Sequence, residues 1–132
     1  MWIYWKYLRQ QRFTEMKVLT IEQMHQLKEL GVDVKPKGMC LMYTSDSSDC
    51  YYLKYGESTC EDDVAAYGLQ DIIELPPYEI KGYYLAIAKQ NGLNNILYIS
   101  DGELYIAKSD CILQAAYEML LWVIENGYLK TK

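Results

Sequence analysis

The chain has 132 residues, of which 51% are hydrophobic and 23% charged, and its formal net charge at pH 7 is −5. This length suits one domain with one core, and the composition excludes wholesale disorder. No apolar run approaches the roughly 20 residues that span a bilayer, and the acidic balance argues against a nucleic-acid partner. We therefore expect a cytoplasmic protein that contacts neither membranes nor nucleic acid.

The first fifteen residues differ in composition from the rest. Their large apolar residues recur at helical spacing between basic ones: Trp2, Trp5 and Leu8. The segment 1–15 holds three basic residues and one acidic residue, which leaves ten basic and seventeen acidic residues, a net charge of −7, in 16–132. We favour two interpretations of this segment over an interfacial membrane anchor: an arm that packs on the body or on a partner, and a stretch upstream of a natural start at Met16. We expect a separate segment 1–15 followed by one α+β domain over 16–132.

The first half of this domain predicts a helix and a hairpin. Thr20 and Gln23 have the spacing of a capping box, an apolar i+3 stripe follows, and Gly31 stands where a helix ends. We therefore expect a helix over 20–30. Two short strands around a polar turn follow, at 39–43 and 50–55.

The second half predicts an antiparallel meander. Asn91-Gly92 and Asp101-Gly102 are the dipeptides most typical of two-residue hairpin turns, and both lie between apolar runs. The predicted strands are residues 80–90, 93–100 and 103–108.

A helix is predicted on each side of the meander. The first covers 69–75 and ends before Pro76-Pro77, since proline cannot continue a helix. The second begins after a cap at Ser109 or Asp110 and ends at Asn126, with Gly127 as the residue after the cap.

Two-residue turns decide which residues pair across strands, and therefore which share a face. One predicted face contains Leu97 and Ile106, and small Ala86 and Ala88 leave room there for the C-terminal helix. The other face is rich in tyrosine, and because neither face is polar, both require cover. We predict that the tyrosine-rich face is partly a contact surface for a partner protein or a second copy, through Tyr83, Leu85, Tyr98 and Tyr105. The alternative is that the chain's own segments seal both faces.

Residues that carry chemistry are few. The cysteines stand ten or more residues apart, too far for a zinc C-x-x-C pair, so we expect reduced thiols at Cys40, Cys50, Cys60 and Cys111. The single histidine, His25, belongs to no motif of nucleophilic catalysis. The acidic residues between 46 and 63 suit an acid–base pair, a cation site or a solvated loop, and we favour the loop because their spacing fits no calcium motif. We expect no enzyme, no catalytic residue, no cofactor and no metal site.

Three stretches of the sequence carry a resemblance: TIEQMHQLKELGVD (20–33), LQDIIELPPYEI (69–80) and AAYEMLLWVIENGYL (115–129). They resemble a group of small uncharacterised proteins carried by phages and mobile elements of gut anaerobic bacteria. The resemblance runs from about Met16 to Leu129 and rests on helix cores and caps. It implies an accessory protein that acts inside a bacterial cell, and it brings no active site with it.

Two functions are consistent with these patterns. The first is a non-enzymatic protein that binds and blocks another protein, as inhibitors, anti-defence factors and immunity proteins do. The acidic excess favours a basic protein partner, and self-association into a homo-oligomer is the other use of the same face. The alternative is a small-molecule binder that sequesters a nucleotide or similar ligand in a tyrosine-lined pocket. Against it, the meander offers a phosphate only three lysines: Lys81, Lys89 and Lys108.

Overall fold

The computed structural model describes residues 18–45 and 51–129, which form two compact units, 18–68 and 69–129. Both contain helices and antiparallel sheet, so the α+β class is confirmed. The division into a segment 1–15 and a single domain over 16–132 stays a prediction. The segment 1–15, the turn 46–49 and Cys50 lie outside the described residues.

In the unit 18–68, helix α1 (Ile21–Glu29) begins at the predicted capping box. Thr20 Oγ1 accepts a hydrogen bond from the Gln23 amide at 3.2 Å, and Gln23 Oε1 accepts one from the Thr20 amide at 2.9 Å. The helix ends at Leu30, and Gly31 has a φ of 95°. This left-handed conformation is easily reached only by glycine, so the predicted helix end is confirmed.

The sheet of this unit has three strands in the order β2-β1-β3: β1 (Cys40–Ser45), β2 (Tyr51–Gly56) and β3 (Val64–Ala65). The predicted hairpin is confirmed, since β1 and β2 pair antiparallel from Cys40↔Gly56 to Ser45↔Tyr51. Strand β3 was not predicted, because two residues are too few to show a periodic pattern. The Tyr43 hydroxyl donates a hydrogen bond to the Leu19 carbonyl oxygen. Fully buried side chains of this unit are Leu19, Met24, Leu27 and Met42.

The unit 69–129 combines two helices with a four-stranded antiparallel sheet in the order β4-β5-β6-β7. Its helices are α2 (Leu69–Glu74) and α3 (Ile112–Glu125), which contact each other, and α3 also contacts β6 and β7. The strands are β4 (Glu79–Ile80), β5 (Tyr83–Gln90), β6 (Leu93–Ile99) and β7 (Glu103–Ser109).

The Asn91-Gly92 turn is confirmed. Both residues have positive φ, 53° and 77°, as a two-residue turn of type I′ requires, and Gln90 pairs with Leu93 across it. The single strand predicted over 80–90 is wrong, because Lys81 and Gly82 also have positive φ, 52° and 86°. They form a second tight turn, which splits the predicted strand into β4 and β5.

The two-residue turn predicted at Asp101-Gly102 is wrong. Neither residue has a positive φ, so type I′ geometry is absent. A two-residue turn would pair Tyr98 with Tyr105 and Ile99 with Leu104; the first pairing is observed, but Ile99 pairs with Glu103. Leu104 is therefore an extra residue, a β-bulge next to a three-residue loop.

Helix α3 begins one or two residues later than predicted. Its N-cap is Cys111, which makes no side-chain capping bond. Ser109 ends strand β7 instead, and its Oγ accepts a hydrogen bond from the Cys111 amide at 3.1 Å. The end of the helix is as predicted, because Gly127 has a φ of 75° and the amide of Tyr128 donates back to the Val123 carbonyl oxygen.

Candidate functional site

Helix α3 packs on the tyrosine-rich face of the sheet. The Trp122 ring stacks on Tyr105 with centroids 4.6 Å apart and planes 10° apart, and its centroid lies 6.2 Å from that of Tyr98. The expectation that this helix covers the Leu97 and Ile106 face is therefore wrong. The physical reason is that flat rings on helix and sheet stack closely, a match that the small alanines of the opposite face do not offer.

Tyr98 is a core residue. Its side chain is 0% exposed, and its hydroxyl donates a 2.6 Å hydrogen bond to the Pro77 carbonyl oxygen. Burial raises the pKa of the Tyr98 hydroxyl to about 12. Its assignment as a contact residue is therefore wrong. The hydroxyl that was expected to meet a partner protein already has a hydrogen-bond partner inside the unit.

The other three predicted contact residues share the face with Tyr98. Leu85 pairs with Tyr98, and Tyr98 with Tyr105, so the register brings them side by side. Tyr83, Leu85 and Tyr105 are half-buried, and Tyr105 lies under Trp122. A partner contact at these three residues stays a prediction.

The opposite face carries a row of four side chains across all four strands. Glu79 pairs with Tyr84, Tyr84 with Ile99, and Ile99 with Glu103. Directly paired residues of antiparallel strands point to the same side of a sheet. With strands about 4.8 Å apart, the row spans about 14 Å and runs acidic, aromatic, aliphatic, acidic.

The middle of this row is exposed and apolar. Tyr84 is 45% exposed and Ile99 41%, and the neighbouring Tyr78 is 71% exposed. The Tyr78 and Tyr84 rings lie 5.5 Å apart, and the Tyr78 carbonyl oxygen accepts a hydrogen bond from the Leu85 amide at 2.9 Å. We call Tyr78, Tyr84 and Ile99 the Tyr84 patch.

The charges around the Tyr84 patch are unbalanced. Glu79 and Glu103 are exposed at the two ends of the row, and neither forms an ion pair with a described residue. Lys108 lies on the same face but four residue pairs away along the strands, at about 14 Å. The patch is therefore an apolar surface between two carboxylates that lack an ion-pair partner among residues 18–45 and 51–129.

Two buried residues lie farther along the same face. Leu97 and Asn95 are each 7% exposed, and Asn95 Oδ1 is buried without a hydrogen-bond partner. An unpaired buried carbonyl oxygen destabilises a fold by about 1–3 kcal/mol. The Asn95 side chain therefore lowers the stability of the fold at an inner strand of the sheet.

Sequence reasoning missed the Tyr84 patch for two reasons. The predicted turn at Asn91-Gly92 puts Tyr84 and Ile99 on the face of Leu97 and Ile106, as observed, but that face was expected to lie under the C-terminal helix. The acidic ends were missed because the Lys81-Gly82 turn and the bulge at Leu104 bring Glu79 and Glu103 into the row, and neither feature was predicted.

In the unit 18–68, Asp63 holds together the loop that precedes β3. Its Oδ2 accepts hydrogen bonds from the Ser58 hydroxyl at 3.1 Å and from the amides of Thr59 at 3.1 Å and Cys60 at 3.2 Å. Burial alone would raise the pKa of Asp63, but these bonds and one from Thr44 together outweigh it and hold the pKa below its ordinary value. Asp63 is thus a structural carboxylate of this loop.

A polar cleft of about 650 Å³ lies beside this loop, lined by Lys35, Pro36 and residues 58–63. It contains no tyrosine and one basic residue, so it does not match the predicted tyrosine-lined pocket. Among residues 18–45 and 51–129, side chains of His, Cys, Asp and Glu nowhere form a group of three or more that could hold a metal ion. His25 packs edge-on against Tyr51, with ring centroids 5.4 Å apart, and the described cysteines Cys40, Cys60 and Cys111 form no disulfide.

A second set of exposed apolar side chains belongs to the unit 18–68: Met39, Tyr52 and Tyr55. Tyr55 is the most exposed of them, and it pairs with Leu41 in the β1–β2 hairpin. Among the described residues of the hairpin, the strand pairing places no carboxylate on each side of these side chains, so they offer control positions for testing the Tyr84 patch.

Comparison with protein-family models, with curated protein sequences and with solved structures finds no match to this chain. In the part of the chain that the structure describes, no helix has the length and apolar character needed to span a membrane. The residues themselves are therefore the basis of any functional proposal.

Proposed function

We propose that this protein is a non-enzymatic, cytoplasmic binding protein whose Tyr84 patch binds a basic, partly apolar segment of another protein. One observation carries the proposal: the row Glu79–Tyr84–Ile99–Glu103, in which an exposed apolar centre lies between two carboxylates that form no ion pair with any residue the structure describes.

The patch has the chemistry of an interface centre. Tyrosine buries a large ring at low entropic cost while its hydroxyl keeps a hydrogen-bond partner, and such residues are enriched where proteins meet. A partner that covers Tyr78, Tyr84 and Ile99 removes their exposed apolar area from water. This stabilises the complex by about 25 cal/mol for each Å² buried.

The carboxylates determine which partner fits. A lysine or arginine at each end of an apolar stretch would pair with Glu79 and Glu103, whereas an acidic segment would be repelled. The net charge of −5 adds long-range attraction for a basic protein and speeds encounter at low salt.

Blocking is the consequence we propose for this binding. The resemblance to proteins of phages and mobile elements suggests an inhibitor, anti-defence or immunity-like role, in which the bound segment of the partner is kept from its own target. Such a role needs a surface and no reacting groups.

The test is a comparative capture from bacterial lysate with immobilised protein. We expect a protein retained by the wild type and by Tyr55→Ala, and lost with Tyr84→Ala and with the double variant Glu79→Lys, Glu103→Lys. A rising salt concentration should release the retained protein from the immobilised wild type, because salt screens the attraction between its basic residues and the two carboxylates. Equal retention by all four baits, each verified as folded by circular dichroism, would refute the proposal.

A further inference from the structure

We infer that the Tyr84 patch has a ligand within its own chain, the segment 1–15, and that this segment competes with the partner. That the segment competes with a partner rests on the function proposed above. That the segment binds the patch does not depend on that function. The inference comes from the chemistry that the patch requires and that this segment carries.

The segment combines the two properties that the patch selects. It holds two of the three tryptophans of the chain, and its three basic residues outnumber its single acidic residue. The remaining residues 16–132 carry a net charge of −7. The segment is thus the basic, aromatic part of an acidic protein, and the patch is an aromatic surface flanked by carboxylates that form no ion pair with a described residue.

The length of the segment, as a helix, also matches that of the row. In a helix with 3.6 residues per turn, Trp2, Trp5, Arg9 and Arg12 fall within about one quarter of the circumference. From Trp2 to Arg12 such a helix is about 15 Å long, close to the row's span of about 14 Å. Such a helix would present both indole rings in one half of the row and both guanidinium groups in the other, so Arg9 and Arg12 would meet the carboxylate at one end only.

Occupation by the segment would set the affinity for the partner. A surface that is free for a fraction of the time binds with a dissociation constant raised by the inverse of that fraction, so occupancy of nine-tenths weakens binding about tenfold. A partner must then displace the segment, which restricts binding to targets that match the patch better.

The experiment uses the full chain labelled with ¹⁵N at tryptophan, which gives one indole signal for each of its three tryptophans. Trp2→Phe and Trp5→Phe assign the signals. In the wild type we expect those of Trp2 and Trp5 to differ from the signals of a synthetic peptide of residues 1–15. In Tyr84→Ala and in Glu79→Lys, Glu103→Lys they should move to the peptide positions, while Tyr55→Ala leaves them unchanged.

A second measurement identifies where the segment binds. Excess unlabelled peptide 1–15 should displace the segment, so that the Trp2 and Trp5 signals of the labelled chain move to the positions of the free peptide. Before the peptide is added, the positions of these signals should not depend on protein concentration. Signals that depend on protein concentration would assign the segment to a second copy and overturn binding within the chain. Signals that ignore both patch variants would overturn the inference altogether.

The two proposals fail separately. If the comparative capture succeeds while Trp2 and Trp5 do not respond, the partner surface stands and its internal ligand is refuted. If the tryptophans respond while capture does not depend on the patch, the segment binds there and the proposed function is refuted.

Discussion

Replacing Tyr98 by phenylalanine removes one hydroxyl from the core and leaves the ring in place. The hydroxyl donates to the Pro77 carbonyl oxygen at 2.6 Å, and the ring is fully buried beside Trp122. A neutral hydrogen bond of this kind contributes about 1 kcal/mol to stability. At neutral pH, Tyr98→Phe should therefore lower the melting temperature by about 4 °C.

The same substitution should have the opposite effect at high pH. The pKa of Tyr98 is about 12 in the folded protein, against the ordinary value of 10.0. Because the folded pKa is raised, the associated stability is fully present below pH 10 and is lost as pH rises toward 12. A difference of two pKa units corresponds to about 2.7 kcal/mol, of which about 1.4 kcal/mol is lost by about pH 11.

The two effects cancel near pH 11, so the stability difference between wild type and Tyr98→Phe should change sign there. Urea denaturation of both proteins between pH 7 and pH 12 measures this difference, and the other tyrosines cancel in it. Tyr84→Phe is the control, because it removes a tyrosine hydroxyl from an exposed ring. Parallel loss of stability in wild type and Tyr98→Phe would refute the assignment of Tyr98 to a sealed core.

Three further predictions concern stability. Asn95→Leu should raise the melting temperature by a few degrees, because it removes a buried oxygen without a partner; a lower melting temperature in a thermal scan would contradict this. The stability that Asp63 contributes should be present above pH 4 and lost as pH falls toward its lowered folded pKa, so acid should weaken the wild type more than Asp63→Asn in urea titrations; equal acid sensitivity would speak against it. Gly92→Ala should lower the free energy of unfolding by about 1 kcal/mol, because φ is 77° there although a Cβ would meet no atom. Gly102 is equally open and has no positive φ, so Gly102→Ala should leave the stability unchanged. Equal melting temperatures of the two variants would show that backbone strain is not the cause.

Several features of the fold were predictable from short stretches of sequence. The capping box at Thr20 and Gln23 and the Asn91-Gly92 turn are decided by residues that contact each other within one turn of chain. Their physics is local, because a side-chain oxygen satisfies a nearby amide and glycine permits a positive φ. The register between β5 and β6 follows from that turn, and with it the sharing of one face by Tyr84 and Ile99.

Tertiary structure decided which face of the sheet helix α3 covers. Both faces are apolar, so the periodicity of the strands could not rank them, and the outcome depended on Trp122 stacking on Tyr105 and on a carbonyl at Pro77 within reach of the Tyr98 hydroxyl. The bulge near Asp101-Gly102 was equally invisible, because it places Glu103 opposite Ile99 by a shift of one residue. Shape and hydrogen-bond partners from distant parts of the chain decide such choices, and a sequence pattern carries neither.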